Sequence, residues 1–140
     1  MALSVQDRRD AVVRDHMEAE NRLDFEAALA TFAHPRYELV GLGQVFDGPE
    51  EVREYFHRSR LPFPDQRNEL IALHHAEQAV ITEFWLLGTH LGPLGDVAPT
   101  GRAFRVRMCA IFEFDDGDGL ICERVYFNPA DVLGQLTEGT

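Results

Sequence analysis

Apolar residues recur with a helical period through the first sixty positions of this chain, then switch to long, mostly alternating runs. Ser4 and Asp7 make a Ser-x-x-Asp start signal, which predicts a helix to about Glu20. Its apolar stripe is thin: Val5, Val12, Val13 and Met17, with His16 on the same side. Asp24 reads as the next N-cap, Phe25, Ala28, Leu29 and Phe32 follow at helical spacing, and Pro35 bars continuation. Tyr37 to Val40 and Val45-Phe46 read as two short strands with Gly41 and Gly43 between them. Asp47-Gly48-Pro49-Glu50 predicts a third helix capped by Asp47, with Val52, Tyr55 and Phe56 inside and an end at Leu61-Pro62-Phe63-Pro64-Asp65. Four long strands follow, at Glu69 to Glu77, Ala79 to His90, Phe104 to Phe114 and Leu120 to Phe127. Asp115-Asp116-Gly117-Asp118-Gly119 makes the last hairpin turn, and Pro129 begins a closing helix through Val132, Leu133 and Leu136.

Helices collected against one antiparallel sheet define the α+β class, and the absence of repeats, linkers or low-complexity stretches predicts one domain over 1–140. A chain of 140 residues with 45% hydrophobic residues suffices for a core and a pocket without disulfide or metal. Thirteen basic against 24 acidic residues give a net charge of −11, which disfavours nucleic acid and anionic membrane surfaces as partners. Met1 to Asp7 holds no apolar run of signal-peptide length, and nothing approaches the roughly 18 apolar residues of a membrane span. Pairing Phe114 with Leu120 would set Cys109 opposite Val125 and Cys122 opposite Phe112, too far out of register for a disulfide. Reduced thiols and a cytoplasmic location are the expectation.

Gly88-Thr89-His90-Leu91-Gly92-Pro93 followed by Pro99-Thr100-Gly101-Arg102 resembles the Gly-Thr-His-x-Gly … Pro-Thr-Gly-Arg signature of SnoaL-like proteins. Ala110-Ile111-Phe112-Glu113-Phe114, the Asp-Gly turn, Glu123-Arg124-Val125-Tyr126-Phe127 and the terminal Gln135-Leu136 continue the resemblance. That family lies in the nuclear-transport-factor-2-like superfamily, with ketosteroid isomerases and limonene epoxide hydrolases. The resemblance implies a cone, in which a strongly curved antiparallel sheet wraps the N-terminal helices and encloses an apolar cavity. Members include polyketide cyclases, isomerases, hydrolases and proteins without known chemistry, so the fold does not by itself give a reaction.

The resemblance also implies an acid near the end of the last strand, acting as general acid/base. The matching position, judged from Tyr126-Phe127-x-Pro129, is Asn128, whose amide can orient a carbonyl but not exchange a proton. If Asn128 faces inward, strand parity brings Tyr126, Arg124 and Cys122 with it, beside Val106, Met108, Ala110 and Phe112 of the neighbouring strand. Arg124 has an equally simple role in a surface ion pair, and Tyr126 in half-buried core. His90, at a strand end among glycines, is either a general base or the residue that holds the turn. His16 sits where ketosteroid isomerases carry an oxyanion-binding group, although a satisfied core histidine is the plainer reading of it.

Other signals carry less. His74 and His75 are strand neighbours that point to opposite faces and cannot share an ion. The Asp115–Gly119 run lacks the closing Glu of a calcium loop, and Gly41-Leu42-Gly43 has Phe46 where a dinucleotide fingerprint needs glycine. An Arg-x-Asp of the epoxide-hydrolase kind would fall on Arg105-Val106-Arg107, with Arg in place of Asp and Asn128 opposite. Two functions therefore stay open. One is cofactor-free and metal-free proton transfer (isomerisation or aldol-type cyclisation) on a compact apolar carbonyl compound, with His90 moving the proton and Asn128, Tyr126 and Arg124 holding the oxygen. The other is non-catalytic binding of a small apolar molecule, or a dimeric scaffold. A homodimer is expected in either case, because Ile81, Trp85 and Leu87 share the face away from the expected cavity.

Overall fold

The computed structural model describes residues 3–138. The opening stretch read for a signal peptide includes Met1 and Ala2, which lie outside the described residues. Helix α1 spans Val5–Asn21, α2 Phe25–Ala30, α3 Pro49–Ser59 and α4 Pro129–Thr137. The strands are β1 Arg36–Leu39, β2 Gln44–Asp47, β3 Arg67–Ala76, β4 Ala79–Thr89, β5 Ala103–Phe114 and β6 Leu120–Tyr126. They form one curved, open sheet of order β2-β1-β6-β5-β4-β3, antiparallel except where β1 lies parallel to β6. Among the described residues, no helix is long and apolar enough to cross a membrane.

Local chemistry accounts for most boundaries. The Ser4 hydroxyl accepts the Asp7 amide at 3.0 Å and the Asp24 carboxylate accepts that of Ala27 at 3.1 Å, which caps α1 and α2. The third cap differs from the expectation. Gly48 (φ 91°), not Asp47, is the N-cap of α3, and the Asp47 carboxylate instead accepts from His34 at 2.9 Å and Arg36 at 3.2 Å. A positive φ of that kind suits glycine, so Asp47 is free to tie β2 to the start of β1.

The sheet's concave face meets α1, α2 and α3 in one apolar core. Phe104, Val106, Met108, Ala110, Phe112 and Phe114 of β5 all point inward in strict alternation. Ile81, Trp85 and Leu87 lie on the opposite, convex face and are half-buried. Arg105 stacks there over the Trp85 ring at 3.7 Å, so the Arg105-Val106-Arg107 stretch puts neither arginine in the interior.

One register differs from the parity expected from the sequence, and the site depends on it. Phe114 pairs with Leu120 as expected, but a β-bulge follows. Glu113 then faces Cys122, Phe112 faces Glu123, Ala110 faces Val125 and Cys109 faces Tyr126. Ile121 is the extra residue, and a one-residue slip exchanges the two faces of a strand. Beyond the bulge Glu123 and Val125 point inward, while Arg124 and Tyr126 point out. The cysteines remain out of register with one another and are free thiols.

Arg9 locks the helix layer to the sheet's turns. Its guanidinium is buried and donates to the carbonyls of Gly117 at 2.7 Å, Glu77 at 2.9 Å and Asp115 at 2.9 Å, while lying over the Phe114 ring. Arg9→Ala should cost roughly 3 kcal/mol in urea denaturation, since three charge-assisted bonds disappear and leave carbonyls unpaired. Arg9→Lys should recover little of it, because one ammonium cannot reproduce the planar fork; full recovery by lysine would show that charge alone matters there.

Candidate functional site

The helices and the concave sheet enclose a cavity of about 680 Å³. Most of its wall is apolar, from Met17, Leu39, Phe63, Phe84, Met108, Phe112 and Val125 among others. Polar side chains gather at one end: Glu20 of α1, Tyr37 of β1, Tyr55 and Arg60 around the end of α3, and Glu123 of β6. A mostly apolar pocket with a few converging polar groups has the general character of a small-molecule site.

His16 lies behind this polar end, fully buried under Phe32 and Phe112, whose ring centroids are 5.2 and 5.6 Å away. Its Nδ1 is 2.8 Å from the Thr31 hydroxyl, which itself donates to the Ala28 carbonyl at 2.6 Å. The hydroxyl has only one hydrogen to give, so it accepts from His16 Nδ1–H and leaves Nε2 to face the cluster. Three oxygens surround Nε2: Tyr37 Oη at 2.6 Å, Glu123 Oε1 at 2.9 Å and Glu20 Oε1 at 3.1 Å. Tyr37 passes its own hydrogen to Glu20 Oε1 at 2.6 Å. The contact with Glu123 is one of charge rather than of aligned hydrogen bonding, and Glu123 Oε1 has no hydrogen-bond partner of its own.

The ionisation pattern follows from this crowding. Burial by itself would lower the His16 pKa, but the charge of Glu20 and the contacts with Glu123 and Glu20 outweigh it and raise the value to about 10. For Glu20, burial pushes upward, yet His16, Arg60 and the Tyr37 hydroxyl together hold the carboxyl below its ordinary value. Glu123 goes the other way. Burial and the neighbouring Glu20 charge raise it, against the opposing pull of His16 and Tyr37. Burial also lifts Tyr37 well above 10 and Tyr55 to about 12. Two carboxyl groups in one cavity thus have pKa values pushed apart, as acid/base sites require.

Among the described residues His16, Glu20 and Glu123 also bring metal-ligand atoms within 4.8 Å of one another. Their charges are balanced through protons: Nε2–H lies among the oxygens, Tyr37 bridges to Glu20, and Arg60 Nη2 stands 3.8 Å from Glu20 Oε2. A cation entering there would have to displace the His16 proton and approach Arg60.

The four residues singled out from the sequence are not brought together here. Arg124 lies on the convex face, bonded to Glu38 at 2.6 Å and paired with Glu113. Tyr126 is exposed on the same face. Asn128 caps α4, its side chain accepting the Ala130 amide at 3.0 Å. His90 is fully buried but absent from the cavity wall; its Nδ1 accepts the Thr100 amide at 3.2 Å and lies 3.0 Å from the Thr100 hydroxyl. The Gly-Thr-His-x-Gly motif is a loop clamp in this geometry. Thr89 bonds Asp65, His90 bonds Thr100, and Gly92 packs directly on the Leu61 carbonyl, where no side chain would fit. Glu123 escapes a parity reading of β6, because the bulge turns it inward. The signal was present: strict alternation from Leu120 would bury Arg124 and expose Val125, against their polarities.

Residues 13–124 match the sequence profile of the SnoaL-like domain. No curated protein matches the chain. Among solved structures, one named as a SnoaL-like polyketide cyclase from Jannaschia sp. CCS1 superposes with a TM-score of 0.86 at 16% identity, covering 100% of this chain and 99% of its own. One named as a polyketide cyclase from Xanthomonas campestris gives 0.82 at 22% identity, over 96% of this chain and 100% of its own. IdmH of Streptomyces antibioticus, also named as a polyketide cyclase, gives 0.77 at 22%, over 91% and 97%. At these identities the likeness is one of fold.

The buried histidine generates a stability prediction. A group with a raised folded pKa contributes stability that is complete below its unfolded value and is lost as the pH rises through the folded one. The His16 contribution should therefore be complete below pH 6.5 and gone above about 10, and Glu123, also raised, declines in the same direction. Chemical denaturation across pH 6 to 10.5 should show native stability falling more steeply than that of His16→Gln. Parallel slopes for the two proteins would contradict the assignment.

Proposed function

The chain belongs to the SnoaL-like domain family, and on that premise we propose that its cavity carries out cofactor-free proton transfer on a compact apolar carbonyl compound, with Glu123 as the group that moves the proton. The observation behind this reading is the placement of Glu123, a buried carboxyl with a raised pKa at the polar end of an otherwise apolar cavity. A general base works best when its pKa approaches the operating pH, and desolvation moves a carboxyl in that direction.

In the proposed sequence the ionised Glu123 takes the proton from the carbon beside a substrate carbonyl, and the electron pair moves onto the carbonyl oxygen. The Tyr55 hydroxyl stands on the cavity wall as a donor for that developing oxyanion. The proton then returns from Glu123 to a different carbon, which isomerises the substrate. Alternatively, the enolate carbon attacks a second carbonyl of the same molecule, and Glu123 protonates the resulting alkoxide. His16 does not exchange protons in either branch; with a pKa of about 10 it stays cationic and holds Glu20 and Tyr37 in place. The proton-moving role expected of His90 passes to Glu123, because the imidazole, held at Nδ1 by Thr100, lies outside the cavity wall.

The reading includes a homodimer through the convex face around Trp85 and a cytoplasmic location, each resting on the sequence arguments above.

Glu123→Gln keeps the shape and removes the proton acceptor. Turnover of an enolisable ketone substrate should fall by about 10²- to 10⁴-fold with ligand binding retained. The native rate should rise with pH through an apparent pKa above the 4.5 of an ordinary glutamate. Turnover that survives Glu123→Gln would remove Glu123 from the chemistry. No turnover by the native protein over a broad ketone panel, with ligand still bound, would leave the non-catalytic binding protein.

A further inference from the structure

Arg60 is 9% exposed, yet its guanidinium is poorly provided with acceptors. Nη1 donates to Ser59 Oγ at 2.8 Å; Nη2 lies 3.8 Å from Glu20 Oε2, beyond hydrogen-bonding reach; Nε has no partner. A guanidinium has five N–H donors, and leaving buried charged donors unpaired is costly. The group is nevertheless held firmly, lying over the rings of Phe25 at 5.4 Å and Phe56 at 5.8 Å. It lines the cavity beside Tyr55 and Ser59.

The local charge balance points the same way. Glu20 is the nearest anion to Arg60, and it is already engaged by His16 and by the Tyr37 hydroxyl. One carboxylate thus faces two buried cations, and the polar end of the cavity keeps a positive charge whenever Glu123 is neutral. That excess stands inside a chain whose formal net charge is −11. A buried cation that shares its nearest counter-ion with a second cation is the arrangement that an anionic ligand completes.

We infer that the cavity takes a carbonyl compound that also carries a carboxylate, and that Arg60 is the residue that binds this carboxylate. The inference rests on the cavity's being a small-molecule site, as proposed above, and adds the ligand's charge. The carboxylate sits against Nε and Nη2 of Arg60, which leaves the Tyr55 hydroxyl to the carbonyl oxygen. The apolar body of the ligand extends toward Phe84, Phe104 and Met108. A volume of about 680 Å³ has room for two or three fused rings. Arg58, which also lines the cavity, is engaged elsewhere: it pairs with Glu54 at 3.3 Å and lies over the Phe46 ring at 5.4 Å.

The test compares 2-naphthoate with 2-naphthamide, two probes of nearly equal shape that differ in charge, by titration calorimetry at pH 7. Neither probe needs to react, so the result stands apart from whether Glu123 transfers protons. The native protein should bind the naphthoate at least 10-fold more tightly. Arg60→Met, which keeps a flexible stem over Phe25 and Phe56, should bring the ratio to about one, and Arg58→Met should leave it at the native value. Equal or tighter binding of the amide by the native protein would overturn the inference. A preference that survives in Arg60→Met, or one that disappears in Arg58→Met, would overturn it as well. If Arg60→Met does not fold, equal binding of the two probes by the native protein, or loss of the preference in Arg58→Met, still overturns the inference.

Discussion

A charged imidazole sealed beneath aromatic rings persists only where oxygen atoms replace the water it has lost. His16 meets that condition from three elements at once: Glu20 one turn along α1, Tyr37 from β1 and Glu123 from β6. Thr31, at the end of α2, fixes the direction of the ring through Nδ1. The cluster therefore does two things with one set of contacts. It ties the helix layer to the centre of the sheet, and it sets which carboxyl of the cavity is ionised. Glu20 takes most of the positive field and stays charged, whereas Glu123 is left with burial and a like charge beside it. The reactivity proposed for Glu123 is a consequence of how the core is held together.

The bulge at Ile121 is the backbone feature that makes the cluster possible. Without it, Glu123 would point to the convex face and Arg124 would face the cavity, opposite Ala110. Arg124 instead bonds Glu38 and pairs with Glu113 outside, and the interior receives a carboxyl. A single extra residue thus decides the charge at the polar end of the pocket.

Much of the architecture could be read from residue order. The Ser4 and Asp24 caps, the alternation of β5 and the apolar switch from helical to strand period all reflect short-range preferences. The family could be read as well, through a loop motif whose residues serve geometry: Thr89, His90 and Gly92 fasten the segment after β4 to Asp65, Thr100 and Leu61. The polar site was less legible. Its members lie as much as 107 positions apart (from 16 to 123), and nothing in the spacing of His16, Tyr37, Arg60 and Glu123 shows that they meet. Parity extrapolated from Asn128 reversed the face of β6, because a bulge leaves no mark on hydrophobicity except the mismatch of Arg124 and Val125 with their predicted sides.

The proposed chemistry depends on the two carboxyl groups titrating apart, Glu123 raised by burial and the Glu20 charge and Glu20 lowered by His16 and Arg60, and a carboxyl titration measures that directly. Protein labelled with ¹³C at the glutamate side-chain carboxyls, with Glu20→Gln and Glu123→Gln used to assign the two resonances, would be followed by NMR as the pH is varied. Glu123 should titrate above the 4.5 of an ordinary glutamate and Glu20 below it. Both groups titrating together near 4.5, or Glu20 being the one that is raised, would contradict that dependence.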